Sequence, residues 1–297
     1  MSAAADGGGT ALGFPARDGY GLEGDLFRPA GPPRGAVLLA PAMGVRRRFY
    51  RPFAEYLARR GLAVLAVDPR GIGGSRRGSL RGLAATLHGW GEDDLAGGLD
   101  ALAREVPGVP LLWVGHSAGG QLLGLLDPNP VAAALLVGAQ SGYWRHWPGL
   151  ARAGMAVFWW LVLPALVALC GYLPMRRLGQ GEDVPAGVAR EWASWGRQPG
   201  YLMTYAGPRG GLGFARWRGR LRTLAVMDDR YAPPASVRAL AAFYAAAEVE
   251  VVEVRPADAG VRRIGHFGWF RPVFAATLWA AAAEWLLAQA DAARGGG

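Results

Sequence analysis

Six strand-like apolar runs punctuate the chain: Gly35–Ala40, Leu62–Val67, Pro110–Val114, Ala132–Val137, Leu221–Met227 and Val249–Val254. Most are near-continuous rather than alternating, the pattern of a strand buried on both faces. Between them lie stretches with helical spacing, at Phe49–Arg60, Glu92–Glu105, Gln121–Leu126 and Pro234–Ala247, and a last one at Val273–Ala290 follows. Strand–helix alternation of this kind predicts a mostly parallel sheet wrapped by helices. Upstream, Asp18-Gly19 is a turn signal between Leu12–Pro15 and Leu22–Phe27, which predicts an opening hairpin. No internal repeat is apparent.

The alternation breaks between about residues 141 and 220. Seven of the twelve tryptophans fall there, Trp144, Trp147, Trp159, Trp160, Trp192, Trp195 and, near its end, Trp217. An interruption of this length between two sheet strands reads as an inserted helical cap over the strand ends where ligands bind. Within it, Met155 to Leu173 carries no charge and is broken by Pro164. By length it could span a bilayer, but arginines flank it evenly, Arg145 and Arg152 before, Arg176 and Arg177 after. A single crossing would also put the serine discussed below on the opposite side from every later residue. Two packed cap helices joined near Pro164 are the expectation, with contact at a membrane surface as the alternative.

Composition narrows the partners. The 297 residues suit one domain carrying an insertion, with residues 1–10 and 294–297 expected to be disordered. All 32 basic residues are arginine, and the net charge of +9 comes with abundant Ala and Gly, as expected from GC-rich coding. The positive charge is scattered and gives no case for nucleic acid; Arg46-Arg47-Arg48 with Arg51 reads as a solvated helix start. Cys170 is the only cysteine, so neither an internal disulfide nor a cysteine metal site is offered. Met1–Thr10 has no secretory pattern, which makes the cytoplasm the default expectation. Oligomeric state is not legible.

The chemistry centres on Gly115-His116-Ser117-Ala118-Gly119, directly after the run Pro110–Val114. A strand, a sharp turn carrying serine between two glycines, then a helical stretch form a nucleophile elbow. The strand before it and the helix after it make the signal specific; the five residues alone would not. The Ala118 amide would open the helix and face the reaction centre.

A serine hydroxyl needs a base. Of four histidines, His116 lies inside the elbow and reads as structural, while His88 and His146 read as structural or substrate-facing. His266 follows the last strand-like run and precedes the final helix, where this topology presents a loop over the serine. The carboxylate that holds its tautomer comes from Asp228-Asp229, at the end of Leu221–Met227; Asp229 is preferred and Asp228 stays open. The second oxyanion amide is assigned to Met43 in Pro41-Ala42-Met43-Gly44. The glycine-rich turn Asp68–Ser75 is architectural: the third glycine of a dinucleotide fingerprint would fall at Arg76, and no Gly-Lys-Ser/Thr follows. The Trp-rich cap suggests a lipophilic or aromatic group bound near Trp144, Trp159 and Trp160.

From about Phe14 to Ala290 these motifs resemble the α/β-hydrolases, and are most similar to bacterial monoacylglycerol-lipase-like and serine-aminopeptidase-like members. The resemblance implies an eight-stranded, mostly parallel sheet, a cap after the sixth strand and a Ser117–Asp229–His266 triad. Many relatives carry His-Gly where this chain has Pro41-Ala42. An esterase acting through an acyl-enzyme is the reading, with no metal or organic cofactor required. Thioester cleavage or acyl transfer with the same triad is the alternative. A binding or membrane-peripheral protein on the same fold is the rival of another class.

Overall fold

The structure, a computed structural model, describes residues 8–295. Eight strands build one sheet: β1 (Thr10–Pro15), β2 (Gly21–Phe27), β3 (Gly35–Ala40), β4 (Leu62–Asp68), β5 (Leu111–His116), β6 (Ala133–Val137), β7 (Arg220–Val226) and β8 (Glu248–Val254). Their order is β1-β2-β4-β3-β5-β6-β7-β8. The opening hairpin β1–β2 and the β2–β4 pair are antiparallel, and every other pairing is parallel. Strands β3 and β4 are buried along their whole length, which is why they read as unbroken apolar runs.

Helices α1 (Arg51–Arg59), α2 (Ala96–Glu105) and the short α3 (Ala118–Gln121) follow β3, β4 and β5. The long helix α4 (Gly149–Cys170) and α5 (Ala186–Gly196) lie between β6 and β7. Helix α6 (Pro234–Ala241) follows β7, and α7 (Leu278–Gly295) closes the chain. Two cores result, one on each face of the sheet. Phe53 of α1 packs with Trp269, Trp279 and Leu286 on one side; Leu99 and Leu102 of α2 pack with Leu122, Trp159 and Phe214 on the other.

Several expectations change. Thr10 belongs to β1, while Arg294 and Gly295 belong to α7; residues 1–7 and 296–297 of the expected disordered ends lie outside the described residues. Helix α6 stops at Ala241 instead of Ala247, because the Ala245 amide bonds to the Phe214 carbonyl and turns the chain away. The uncharged stretch is helical without a break as far as Cys170, not two helices joined at Pro164. Proline removes one N–H and crowds the preceding turn, and a π turn at Phe158–Val162 absorbs the mismatch without breaking the helix.

Candidate active site

Ser117 sits at the end of β5 with φ 50° and ψ −115°, a backbone conformation unfavourable for any residue with a Cβ. Its neighbours must be glycine because the turn is packed shut. A Cβ at Gly115 would lie 2.4 Å from the Cα of Gly120, and one at Gly119 2.2 Å from the Ala40 carbonyl oxygen. The second contact also presses the start of α3 against the end of β3. The Ala118 amide and the loop carrying Met43 are therefore side by side, both residues buried.

His266 is buried, and its Nδ1 lies 2.6 Å from Asp229 Oδ2. Asp229 Oδ1 accepts from the amides of Tyr231 (2.8 Å) and Ala232 (3.1 Å), so one carboxylate oxygen is fixed by the backbone and the other faces the imidazole. A neutral imidazole held this way carries its proton on Nδ1 and leaves Nε2 as the acceptor. Asp228 serves a different end of the same loop. Its two oxygens accept from the amides of Ile264 and Gly265, each at 3.0 Å, and hold the backbone that leads into His266. The adjacent acids thus divide the work: Asp229 meets the ring, and Asp228 meets the loop.

His116 is more than filler. Its Nε2 lies 3.0 Å from the His266 carbonyl, which can only accept, so Nε2 carries the proton and Nδ1 is left as an acceptor. The Tyr50 hydroxyl donates to that Nδ1 at 2.8 Å and accepts from the Ala42 amide at 2.8 Å. Burial and the neighbouring His266 hold His116 well below the usual histidine range, so it stays neutral. This buried relay joins the His266 loop to the residue before Met43. Sequence reading missed it, because Tyr50 and Ala42 are far from His116 along the chain.

The turn Asp68–Ser75 is tied down as a structural element should be. Asp68 accepts from the amides of Arg47 (2.7 Å) and Gly74 (3.0 Å), and the Ser75 hydroxyl donates to the Asp68 carbonyl at 2.6 Å. Arg70 pairs with Asp94 and Asp18.

A cavity of about 460 Å³ opens beside the site, walled by Trp147, Met155, Phe158, Trp159, Leu173 and Trp192. Ser117 and His266 do not line it; Tyr231 does, and its ring centre is 5.2 Å from that of His266. Of the three tryptophans expected around the ligand, Trp159 lines this wall, its Nε1 donating to the Gly142 carbonyl at 3.0 Å. Trp144 and Trp160 do not. One step along a helix turns a side chain by about 100°, so Trp160 faces outward and packs edge-on against Trp144 at 5.8 Å. Gln140, Gln180 and Arg230, also on the cavity wall, were not anticipated from sequence, since isolated polar residues in loops carry no periodic signal.

Residues 31–176 match the family described as Serine aminopeptidase, S33. Over 119 residues the chain is 31% identical to the monoacylglycerol lipase of Mycolicibacterium smegmatis; the match takes in 38% of this chain and 41% of that one. The fold overlays 95% of this chain on 99% of a thermophilic esterase from Thermogutta terrifontis, with TM-score 0.59 and 17% identity. The chain has the α/β-hydrolase fold. The same fold also overlays the monoacylglycerol lipase of Paleococcus ferrophilus with TM-score 0.57 and 16% identity, over 90% of this chain and 99% of that one. At such identities the overlays establish architecture, and what the site does has to be argued from its own groups.

Proposed function

We propose that the protein is a serine hydrolase that cleaves carboxylic esters with a lipophilic acyl group. The observation that carries this is the conjunction of a strained Ser117, buried at the end of β5, with an Asp229-held His266 above the same sheet end. His266 Nε2 takes the Ser117 proton as Oγ attacks the ester carbonyl. The amides of Met43 and Ala118 hold the oxyanion. His266 returns the proton to the departing alcohol, leaving an acyl-enzyme, and a water activated by the same nitrogen releases the acid and restores Ser117. Asp229 stays ionised and stabilises the imidazolium between these transfers. The mostly apolar cavity walled by Trp159 suits the acyl chain. A fluorophosphonate probe should label the wild type on Ser117 and leave Ser117→Ala unlabelled; label on Ser75, Ser79 or Ser141 would reject the assignment. Turnover of esters and thioesters compared on the unlabelled wild type separates cleavage of the two classes.

A specific feature favours work at a membrane surface. The most apolar 18-residue window of helix α4 has a mean hydropathy of 2.1, yet only 17% of it is buried. Trp159, Leu163 and Val167 face the core, while Leu150, Val157, Leu161 and Leu169 face out. No acidic residue occurs from Pro128 to Gly181, a stretch containing Arg145, Arg152, Arg176 and Arg177. An apolar face rimmed by arginine suits an in-plane seat on an anionic bilayer. A second copy would set like charges against each other. Co-sedimentation with phosphatidylcholine vesicles should rise when phosphatidylglycerol is included and fall in Leu161→Asp/Leu169→Asp; a dimer that forms without lipid and is lost in that variant would reject it.

A further inference from the structure

A second opening lies across from the apolar cavity. It is an open cleft of about 780 Å³ whose wall includes Gly44, Arg46, Arg48, Arg176, Glu182 and Phe267. Two of these residues adjoin the reaction centre directly, since Gly44 follows Met43 and Phe267 follows His266. Gln180 borders both openings and accepts from the Tyr231 hydroxyl at 2.9 Å, so a Tyr231–Gln180 bar separates them beside the imidazole.

The cleft is cationic by a margin that its own residues do not cancel. Three guanidinium groups stand against one carboxylate on this wall, and Glu182 pairs with only two of them, Arg46 and, at 3.4 Å, Arg176. Arg48 is exposed and forms no ion pair among the described residues, and Arg46 Nε is buried without a hydrogen-bond partner. Arg47, between them, is used structurally against Asp68 and Asp25. The Arg46–Arg48 run therefore does not form one solvated helix face. One arginine builds the fold, and its two neighbours point charge at the cleft.

We propose that this cleft binds an anionic group, phosphate or carboxylate, carried on the alcohol side of the scissile ester. The inference rests on the serine-hydrolase reading above. His266 must hand its proton to the leaving oxygen, so the alcohol departs along the imidazole, where Phe267 and the arginines lie; the acyl chain takes the apolar cavity beyond the bar. Guanidinium groups suit phosphate and carboxylate because they donate in a planar fork. The anion can arrive on a soluble ester or as a lipid headgroup.

The test uses two esters with the same short acyl chain, one of glycerol and one of glycerol 3-phosphate. The wild type should favour the phosphate ester in kcat/KM by about tenfold or more, the scale of a charge-assisted contact, and added salt should shrink the ratio. In Arg48→Gln and Arg176→Gln the ratio should fall toward one, while the surface change Arg104→Gln should leave it as it was. A preference seen with monomeric esters marks a soluble substrate; one that appears only with esters presented in vesicles marks a headgroup. Equal kcat/KM in both presentations, or a preference that survives in the Arg48→Gln/Arg176→Gln double variant, overturns the proposal. Titrating Ser117→Ala with glycerol 3-phosphate by calorimetry reads the cleft without turnover. Binding there with no phosphonate label on wild-type Ser117 would sink the hydrolase reading alone; label with no binding would sink the cleft alone.

Discussion

Replacing Tyr50 with phenylalanine deletes one fully buried oxygen and leaves a ring of nearly the same shape packed edge-on against Phe49 and Phe270. That oxygen serves two buried partners, so both are orphaned: the Ala42 amide loses its acceptor and His116 Nδ1 its donor. An unsatisfied buried group costs about 1–3 kcal/mol, offset in part because the hydroxyl no longer has to be desolvated. A net loss of about 2 kcal/mol is expected, or a Tm lower by roughly 4–8 °C in a domain of this size. The kinetic effect should be larger than stability implies. Ala42 precedes the Met43 amide, and removing an oxyanion donor outright costs about 10²–10³ in turnover, so misplacing one should cost about tenfold. Thermal unfolding and the rate of fluorophosphonate labelling read the two effects separately. Tyr56→Phe is the control, since that hydroxyl meets only Arg60 at the surface end of α1 and should shift stability by less than ~0.5 kcal/mol. A Tyr50→Phe protein with wild-type Tm and wild-type labelling rate would show that the relay holds nothing in place.

The adjacent acids should separate by orders of magnitude: Asp229→Asn is expected to lower turnover by roughly 10⁴-fold, whereas Asp228→Asn, which loses one of two loop contacts, should cost nearer tenfold together with about 1–3 kcal/mol of stability. Trp159→Ala should cost about 3–5 kcal/mol in denaturant unfolding and shift the preferred acyl chain to longer esters, since each buried methylene contributes ~0.8 kcal/mol. The hydrogen bond to Glu191 raises His88, which also faces Glu92 and Arg209. Its contribution to stability is therefore complete below about pH 6.5 and lost as pH climbs through the raised folded value. Glu191→Gln should flatten that dependence when unfolding midpoints are compared from about pH 6 to pH 9.

Much of the sheet was legible because a strand covered on both faces has little choice but to be apolar throughout, and β3 begins and ends where the apolar run Gly35–Ala40 does. The elbow was legible for a steric reason: Gly115 and Gly119 stand where no side chain fits, so geometry is written directly into residue type. The position of Asp229 could be narrowed only to a pair, since two acids at a strand end differ by which way each carboxylate turns. What lay beyond reading was set by contacts distant in sequence. Tyr50 looks like an ordinary core aromatic until His116 is placed beside it. Pro164 looks like a break until the π turn before it is seen. Gln180 and the Arg46–Arg48 cleft depend on where the residue 176–183 loop comes to rest.

The backbone of Ser117 sets the proposed nucleophile in one of the most strained positions of the fold. At φ 50° and ψ −115° any residue with a Cβ carries about 1–3 kcal/mol of strain, and alanine carries it as fully as serine does. Only glycine is relieved of it, at an entropic cost of about 0.5–1 kcal/mol. Selection for a sturdier fold and selection for a reactive hydroxyl therefore pull in opposite directions at one position. A lineage that gave up the chemistry could gain stability here through a change of serine to glycine, so the retained serine is costly for the fold to keep.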